Sequence, residues 1–326
     1  MSIPTHIAQL GILVAFLTVT VGLVAAAAYD PHSATAVFRD KHMRLASLPS
    51  PKVVLIGGSN LTYGLDSAQL ERDLHLPVVN TAYSAGFGLR FQLDDTLSGI
   101  HRGDIAVIIP AYEQFQSSLV NGTGDILNIL FYHPSSVLAI KSWKQVFKIV
   151  EYIPTFLQTN LKKHILSPLV QGLFKRQANG GLIYTRTDFN QQGDLVGYLR
   201  HPPAKKVAFK PLPAEAVNPE AIRVLNRFFD QATERGARVV LLFPPYGSQA
   251  YVQGRAVISD IENALRKQTR LDIPSKPEDF VFSENEFFDS YHLYVSGRAQ
   301  RTKLVMQFLS KVLNAPSSVL QPDKNR

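Results

Sequence analysis

Apolar and polar positions follow two rhythms along most of the chain. Short β-branched runs closed by glycine or proline alternate with segments whose apolar residues recur every three or four positions. "KVVLIGG" (52–58) predicts a buried strand that breaks into Gly57-Gly58-Ser59. "DSAQLERDLH" predicts a helix capped by Asp66. "PVVNTAYSAG" predicts a second strand running into a glycine loop, "RFQLDDTLSGI" a helix, and "DIAVIIPAY" a third strand. After a gap the rhythm resumes. "NPEAIRVLNRFFDQATERGA" predicts a helix capped by Asn218, with Pro219 at its first position and Gly236 as its stop. "RVVLLFPPY" predicts a fourth strand, and "SDIENALRKQ" and "GRAQRTKLVMQFLSKVL" predict two more helices. Strands and helices in this order predict an α/β fold with a parallel sheet covered by helices on both faces.

Two regions depart from that rhythm. Ile7–Tyr29 is apolar all round, and Leu10–Ala28 carries no charge. Nineteen helical residues reach about 29 Å, close to the hydrocarbon thickness of a bilayer. The stretch exceeds a usual signal-peptide core, so residues 1–29 are expected to be a transmembrane signal anchor; a cleaved signal peptide is the alternative. Residues 30–50 read as a polar linker, 51–315 as the sheet domain, and 316–326 as a flexible tail. The second departure is 116–215, read as an insertion. There Trp143, Val146, Phe147, Val150, Ile153, Leu157 and Leu161 predict a long amphipathic helix with a potential break at Pro154. The expected role of that stripe is packing on the core; a lid, a polymer groove or a partner surface is the alternative.

Composition narrows the function classes. The net charge is +8, but the 34 Lys and Arg are scattered, with doublets such as Lys162-Lys163, Lys175-Arg176 and Lys205-Lys206 and no longer run. No nucleic-acid signature accompanies them, so no nucleic-acid partner is expected. The absence of cysteine excludes disulfides, thiol catalysis and Cys-based zinc sites. The nine histidines form no metal-ligand motif, a Walker loop is absent, and "GFGLRF" lacks the third glycine of a dinucleotide fingerprint. No metal and no cofactor is therefore expected. The carboxylate pairs Asp94/Asp95 and Glu284/Glu286 read as solvated charges rather than glycosidase acids.

The candidate chemistry lies at the two ends of the sheet domain. Ser59 follows the first strand, on the side where parallel sheets bind ligands. In "FFDSYHLYVSGRAQ", Asp289 and His292 stand three residues apart before the last helix. Ser59 and Asp289 each have an ordinary reading as helix caps, and His292 as a helix-start or core residue. Together they form the Ser, Asp, His set that nucleophilic catalysis needs. The hydroxyl requires a base, and the imidazole requires a carboxylate to fix its tautomer.

Gly57-Gly58-Ser59-Asn60 after a first strand, with Asp289-Ser290-Tyr291-His292 before a last helix, resembles the SGNH (GDSL-type) hydrolase superfamily. The resemblance is closest to its membrane-anchored branch of bacterial polysaccharide O-acetylation and teichoic-acid D-alanine transfer proteins. It covers about 51–115 and 216–312, with "FNQQGD" the only part of the insertion that it touches. It implies a three-layer, flavodoxin-like sheet domain with Ser59 as nucleophile, His292 as base and Asp289 as its partner. Gly86 in "NTAYSAGFG" would donate its N–H to the oxyanion, joined by backbone at Gly58, Ser59 and Asn60. The family's third block supplies an asparagine; here Pro110-Ala111-Tyr112-Glu113 stands in its place, so either Tyr112 or Glu113 lines the site or the oxyanion hole has fewer donors. The resemblance further implies an exported acyltransferase or esterase that acetylates or deacetylates an exopolysaccharide through an acyl-Ser59 intermediate. Its setting would be the inner membrane, with the catalytic domain in the periplasm. Partners would be the polysaccharide and a membrane-embedded acyl carrier or polysaccharide synthase complex. The flanking charges (Arg39, Lys41 and Arg44 after the apolar stretch, none before it) favour the opposite orientation. The competing reading is a non-catalytic accessory protein that keeps the fold for binding.

Overall fold

Five consecutive buried residues, Val53–Gly57, form the first strand, β1. A strand buried on both faces needs no polar alternation, which explains its unbroken "VVLIG". In the computed structural model, which describes residues 29–116, 118–166, 184–203 and 211–314 together with 11, 22 and 209, β1 lies at the centre of a parallel sheet. A helix precedes it, α1 (Val37–Ser47). After β1 come α2 (Ser59–Tyr63), α3 (Ser67–Leu74), β2 (Val78–Asn80), α4 (Leu89–Thr96), β3 (Ile105–Ile109) and the short α5 (Glu113–Gln116). The middle of the chain gives α6 (Ile126–Tyr132) and α7 (Trp143–Leu161). The last third gives α8 (Pro219–Glu234), β4 (Arg238–Leu241), β5 (Tyr246–Gly247), α9 (Ser248–Gln268), β6 (Val281–Phe282) and α10 (Val295–Asn314).

The sheet order is β2-β1-β3-β4, all parallel. Val53 pairs with Val78 on one side and Ile105 on the other, and Ile105 pairs with Arg238. Beyond β4 a single parallel bridge joins Val240 to Asp272. A second, two-stranded parallel pair joins β5 to β6. Helices α4 and α8 pack against one another, as do α3 and α10. The apolar faces predicted for them are buried: Leu89 and Leu93 of α4, Leu225 and Phe228 of α8, Leu70 of α3, and Val305 and Leu309 of α10. The caps at Asp66 and Asn218 form as predicted; each accepts a hydrogen bond from a first-turn N–H. Because β1 is flanked by β2 and β3, the connections leave it in opposite directions. This opens a crevice at the carboxyl ends of β1 and β3.

Three expectations need correction. Residues 30–50 are not a free linker, because α1 lies along β2 with Val37, Phe38 and Leu45 buried. Lys41 belongs to the same face: its stem is buried and its ammonium donates to Ala82 O. Counting Lys41 as polar hides the stripe 37, 38, 41, 45. The helix at 143–161 runs unbroken through Pro154. Its stripe does not pack on the core either, since Trp143 is 77% and Phe147 70% exposed while only Gln145 and Phe156 are buried. Apart from Gly11, Gly22 and Tyr29, the expected anchor at 1–29 lies outside the described residues, and so does the tail at 316–326. Among the described residues no helix is long and apolar enough to cross a membrane.

Candidate active site

At the end of β1 the chain turns through Gly58, the N-cap of α2, and Ser59 is the first residue of that helix. The turn is tight: a Cβ on Gly58 would meet the backbone nitrogen and the methyl of Ala85 at 3.1 Å. Arg301 of α10, fully buried, donates to Asn60 O, to Gly64 O at 3.3 Å and to Asn60 Oδ1 at 3.3 Å. The closing helix thus braces the helix that carries Ser59, and Asn60 is held by its side chain as well as its backbone.

Asp289 and His292 sit on a loop closed on itself by local bonds. Phe288 N donates to His292 O and Tyr294 N to Glu286 O, both at 2.7 Å. Asp289 Oδ1 accepts the N–H groups of Tyr291 (2.8 Å) and His292 (2.9 Å), and Oδ2 lies 2.8 Å from His292 Nδ1. That carboxylate fixes the tautomer with hydrogen on Nδ1 and a lone pair on Nε2. His292 Nε2 is buried and has no hydrogen-bond partner. The ring stacks on Tyr63 of α2 at 4.0 Å and 19°, which draws the base towards the helix that carries Ser59. Burial works to raise the Asp289 carboxyl, but the His292 hydrogen bond and charge and the two backbone donors hold it below its ordinary value.

The opposite wall is built from the loops after β2 and β3. Gly86 lies in a 3-10 turn (Ala85–Phe87), and its N–H donates to Ser84 Oγ at 3.2 Å. The expected oxyanion donor is therefore engaged within its own turn. Gly88 has φ +83°, and a Cβ there would meet Gly122 N at 2.2 Å, so this crossing of two loops requires glycine. Gln114, fully buried, joins the two loops; it accepts from Ala111 N and donates to Ala85 O at 3.3 Å. Tyr112 is 2% exposed, packs edge-on against Tyr246, and its hydroxyl has no hydrogen-bond partner. Burial pushes the Glu113 carboxyl above its ordinary value.

These walls enclose a cavity of about 340 Å³ lined by Ser59, Asn60, Gly86, Tyr112, Glu113 and His292 among others. Gly58 and Asp289 stand behind it. Ser59 and His292 face the same space, but Nε2 does not bond the Ser59 hydroxyl; such contacts are often long before substrate closes them. A larger cleft of about 460 Å³, lined by His42, Asp95 and Arg227, contains none of the candidate residues. The carboxylate pairs are engaged elsewhere: Asp94 with Arg227, Asp95 with His42, and Glu284 with Ser248. Among the described residues no three His, Asp or Glu side chains are grouped as metal ligands.

Two supporting residues lie outside the candidate set. Tyr198, in the insertion, donates its hydroxyl between Tyr63 O (2.7 Å) and Leu293 O (2.9 Å), tying α2 to the Asp289–His292 loop. Asp194 is fully buried and accepts from Ser67 N and Asn80 Nδ2, both at 2.8 Å, and from Asn190 Nδ2 at 3.0 Å. It ends the "FNQQGD" stretch. Gly193 before it has φ +101°, and a Cβ there would meet Asn80 O at 2.4 Å. The chain matches no protein-family model and no curated protein sequence.

Proposed function

We propose that the chain is an exported serine acyltransferase or esterase that works through an acyl-Ser59 intermediate on a bacterial exopolysaccharide. The observation that carries this reading is a partnerless His292 Nε2, set in the correct tautomer by Asp289, on a residue that lines the same cavity as Ser59. In the first half-reaction His292 Nε2 takes the proton of Ser59 and Oγ adds to the acyl carbonyl. His292 then returns the proton to the leaving group. In the second, His292 deprotonates a sugar hydroxyl or water, whose oxygen attacks the acyl-serine, and returns that proton to Ser59 Oγ as the ester bond breaks. The oxyanion would be held by the Ser59 and Asn60 amides that open α2, ahead of the first amides bonded back to Gly58 O.

The strand order 2-1-3-4, with the nucleophile after the first strand, supports a flavodoxin-like SGNH assignment. A periplasmic domain held at the inner membrane beside an acyl-carrying partner belongs to the same reading; the uncharged run Leu10–Ala28 supports it. The accessory-protein reading is favoured by one feature, the Gly86 N–H already bonded to Ser84. Intact-mass analysis after incubation with p-nitrophenyl acetate separates the two. An acetyl gain that maps to Ser59 and disappears in Ser59→Ala is expected; an acetyl gain equal in both proteins refutes the enzyme reading.

A further inference from the structure

The exposed stripe of α7 needs an occupant. Trp143, Phe147, Val150, Ile153 and Leu161 are 77%, 70%, 56%, 39% and 37% exposed and fall on one side of the helix. The other side rests on the protein: Phe156 packs on Phe131 at 5.6 Å, and Tyr152 fills the space beside Gly124. Large apolar side chains in such a row are unusual on a free surface.

Charge identifies what covers them. Between 141 and 163 the sequence carries five lysines and a single acid, Glu151. Lys144 is paired with Glu220 and Lys148 with Glu151, while Lys162 and Lys163 stand exposed at the helix end. Lysine is depleted in protein–protein interfaces, and a two-fold contact between copies would set these lysines against one another. An aromatic and aliphatic face rimmed by lysine suits the headgroup layer of an anionic bilayer, where tryptophan prefers to lie. The chain's path agrees. The uncharged run Leu10–Ala28 enters the described structure at Tyr29, whose ring lies 6.1 Å from Phe131 and 5.5 Å from Tyr132 of α6. Phe131 is the ring on which α7 packs. The residue that follows a hydrocarbon-length apolar run therefore packs on α6, the helix that also supports α7.

We infer that α7 is an interfacial helix that lies in the surface of an anionic lipid bilayer, a second attachment beside the N-terminal stretch. Its link to the candidate site is short. Tyr152 packs on Gly124, and Thr123 N donates to Gly86 O at 2.7 Å, so a docked α7 orients the loop that lines the cavity. The inference does not depend on the chemistry proposed for Ser59.

The chain contains one tryptophan, Trp143, so its fluorescence reads the contact directly. The full chain is reconstituted in vesicles of phosphatidylglycerol and phosphatidylcholine, with brominated acyl chains as the membrane quencher and acrylamide as the aqueous one. The expected result is a blue-shifted Trp143 that brominated lipid quenches, with a several-fold fall in acrylamide quenching relative to Phe147→Glu/Val150→Glu. The effect should weaken in pure phosphatidylcholine and in Lys162→Glu/Lys163→Glu. A reporter moved to another exposed position, Trp143→Phe with Val252→Trp, should stay open to acrylamide. Trp143 equally open to acrylamide in wild type and the double glutamate variant overturns the inference. So does shielding from acrylamide without quenching by brominated lipid, which would mean that protein covers α7. Equal quenching of both reporters by lipid overturns it too.

Discussion

The two walls of the cavity differ in how completely their polar groups are committed. On the His292 wall every supporting group has a partner. Asp289 accepts three hydrogen bonds, Tyr63 stacks on the imidazole, Tyr198 clamps two elements together, and Arg301 braces the helix behind Ser59. Two buried atoms there have no hydrogen-bond partner: Arg301 Nε, and His292 Nε2, which the proposed chemistry requires to be free. On the opposite wall the arrangement is reversed. The Gly86 N–H is spent on Ser84, the Tyr112 hydroxyl has no partner, and Glu113 is a carboxyl that burial pushes towards its neutral form. The Asp289–His292 pair is preorganised, and the opposite, anion-binding half of the proposed site is not. Under the proposed reading such a site would turn over slowly, because electrostatic stabilisation of the oxyanion is usually the largest part of catalysis.

The most severe way to break this contrast is to spoil the committed wall. Asp289→Asn keeps the shape but sets the wrong imidazole tautomer, and should lower acetyl transfer by about a hundredfold to ten-thousandfold. The rate of Ser59 acetylation, followed by mass, checks this. A fall of less than tenfold would show that the His292 wall contributes little and would erase the contrast. Next in size is Tyr198→Phe. It removes the hydroxyl shared by Tyr63 O and Leu293 O and leaves two buried carbonyls short of a donor. A loss of about 1–3 kcal/mol is expected in urea unfolding. The rate should fall with it, since α2 and the base loop lose their tie.

The asymmetry also separates what the residue order could reveal from what it could not. Asp289 and His292 are legible because Asp-x-x-His is a local turn; two backbone N–H groups and one ring nitrogen converge on the carboxylate within four residues. The strands are legible because an all-buried parallel strand has to be a β-branched run. The engagement of Gly86 is local too, a serine two residues earlier, but Ser84 reads equally well as a turn residue and as a free one. Tyr198 and Asp194 act across more than a hundred residues, on Tyr63 and on Ser67 and Asn80, and nothing in their own neighbourhood announces those partners. Helices α7 and α8 make the limit plain. Both carry an apolar stripe at helical spacing; α8 buries Leu225 and Phe228, whereas α7 exposes Trp143 and Phe147. Periodicity shows that a helix has an apolar face, but not which surface covers it.

The opposite wall can be improved rather than broken. Ser84→Ala removes the acceptor of the Gly86 N–H. If that amide serves the oxyanion, the acylation rate of Ser59 should rise by about threefold to tenfold, a fraction of what a preorganised donor supplies. An unchanged rate would assign the stabilisation to the α2 amides alone and leave Gly86 as a turn residue.

Glu113 should give the smallest effect, and its sign follows from linkage. Burial raises its folded pKa above the ordinary carboxylate value, with only a hydrogen bond to its own backbone in opposition. The folded state therefore holds the proton more tightly than the unfolded chain. The stability that this contributes is fully present below the unfolded value near 4.5 and is lost as pH rises through the folded value. Glu113→Gln removes the titration, so the stability difference between wild type and variant should shift in favour of the variant across that window and stay flat above it. Denaturant unfolding at intervals from pH 4 to pH 8 measures the slope. The same substitution bears on the chemistry. A carboxylate beside a developing oxyanion would repel it, while an amide at 113 offers a donor at every pH. The variant should therefore match wild type at low pH and exceed it by about twofold above the window. A variant slower than wild type at every pH would instead make the Glu113 carboxyl a group that the reaction uses.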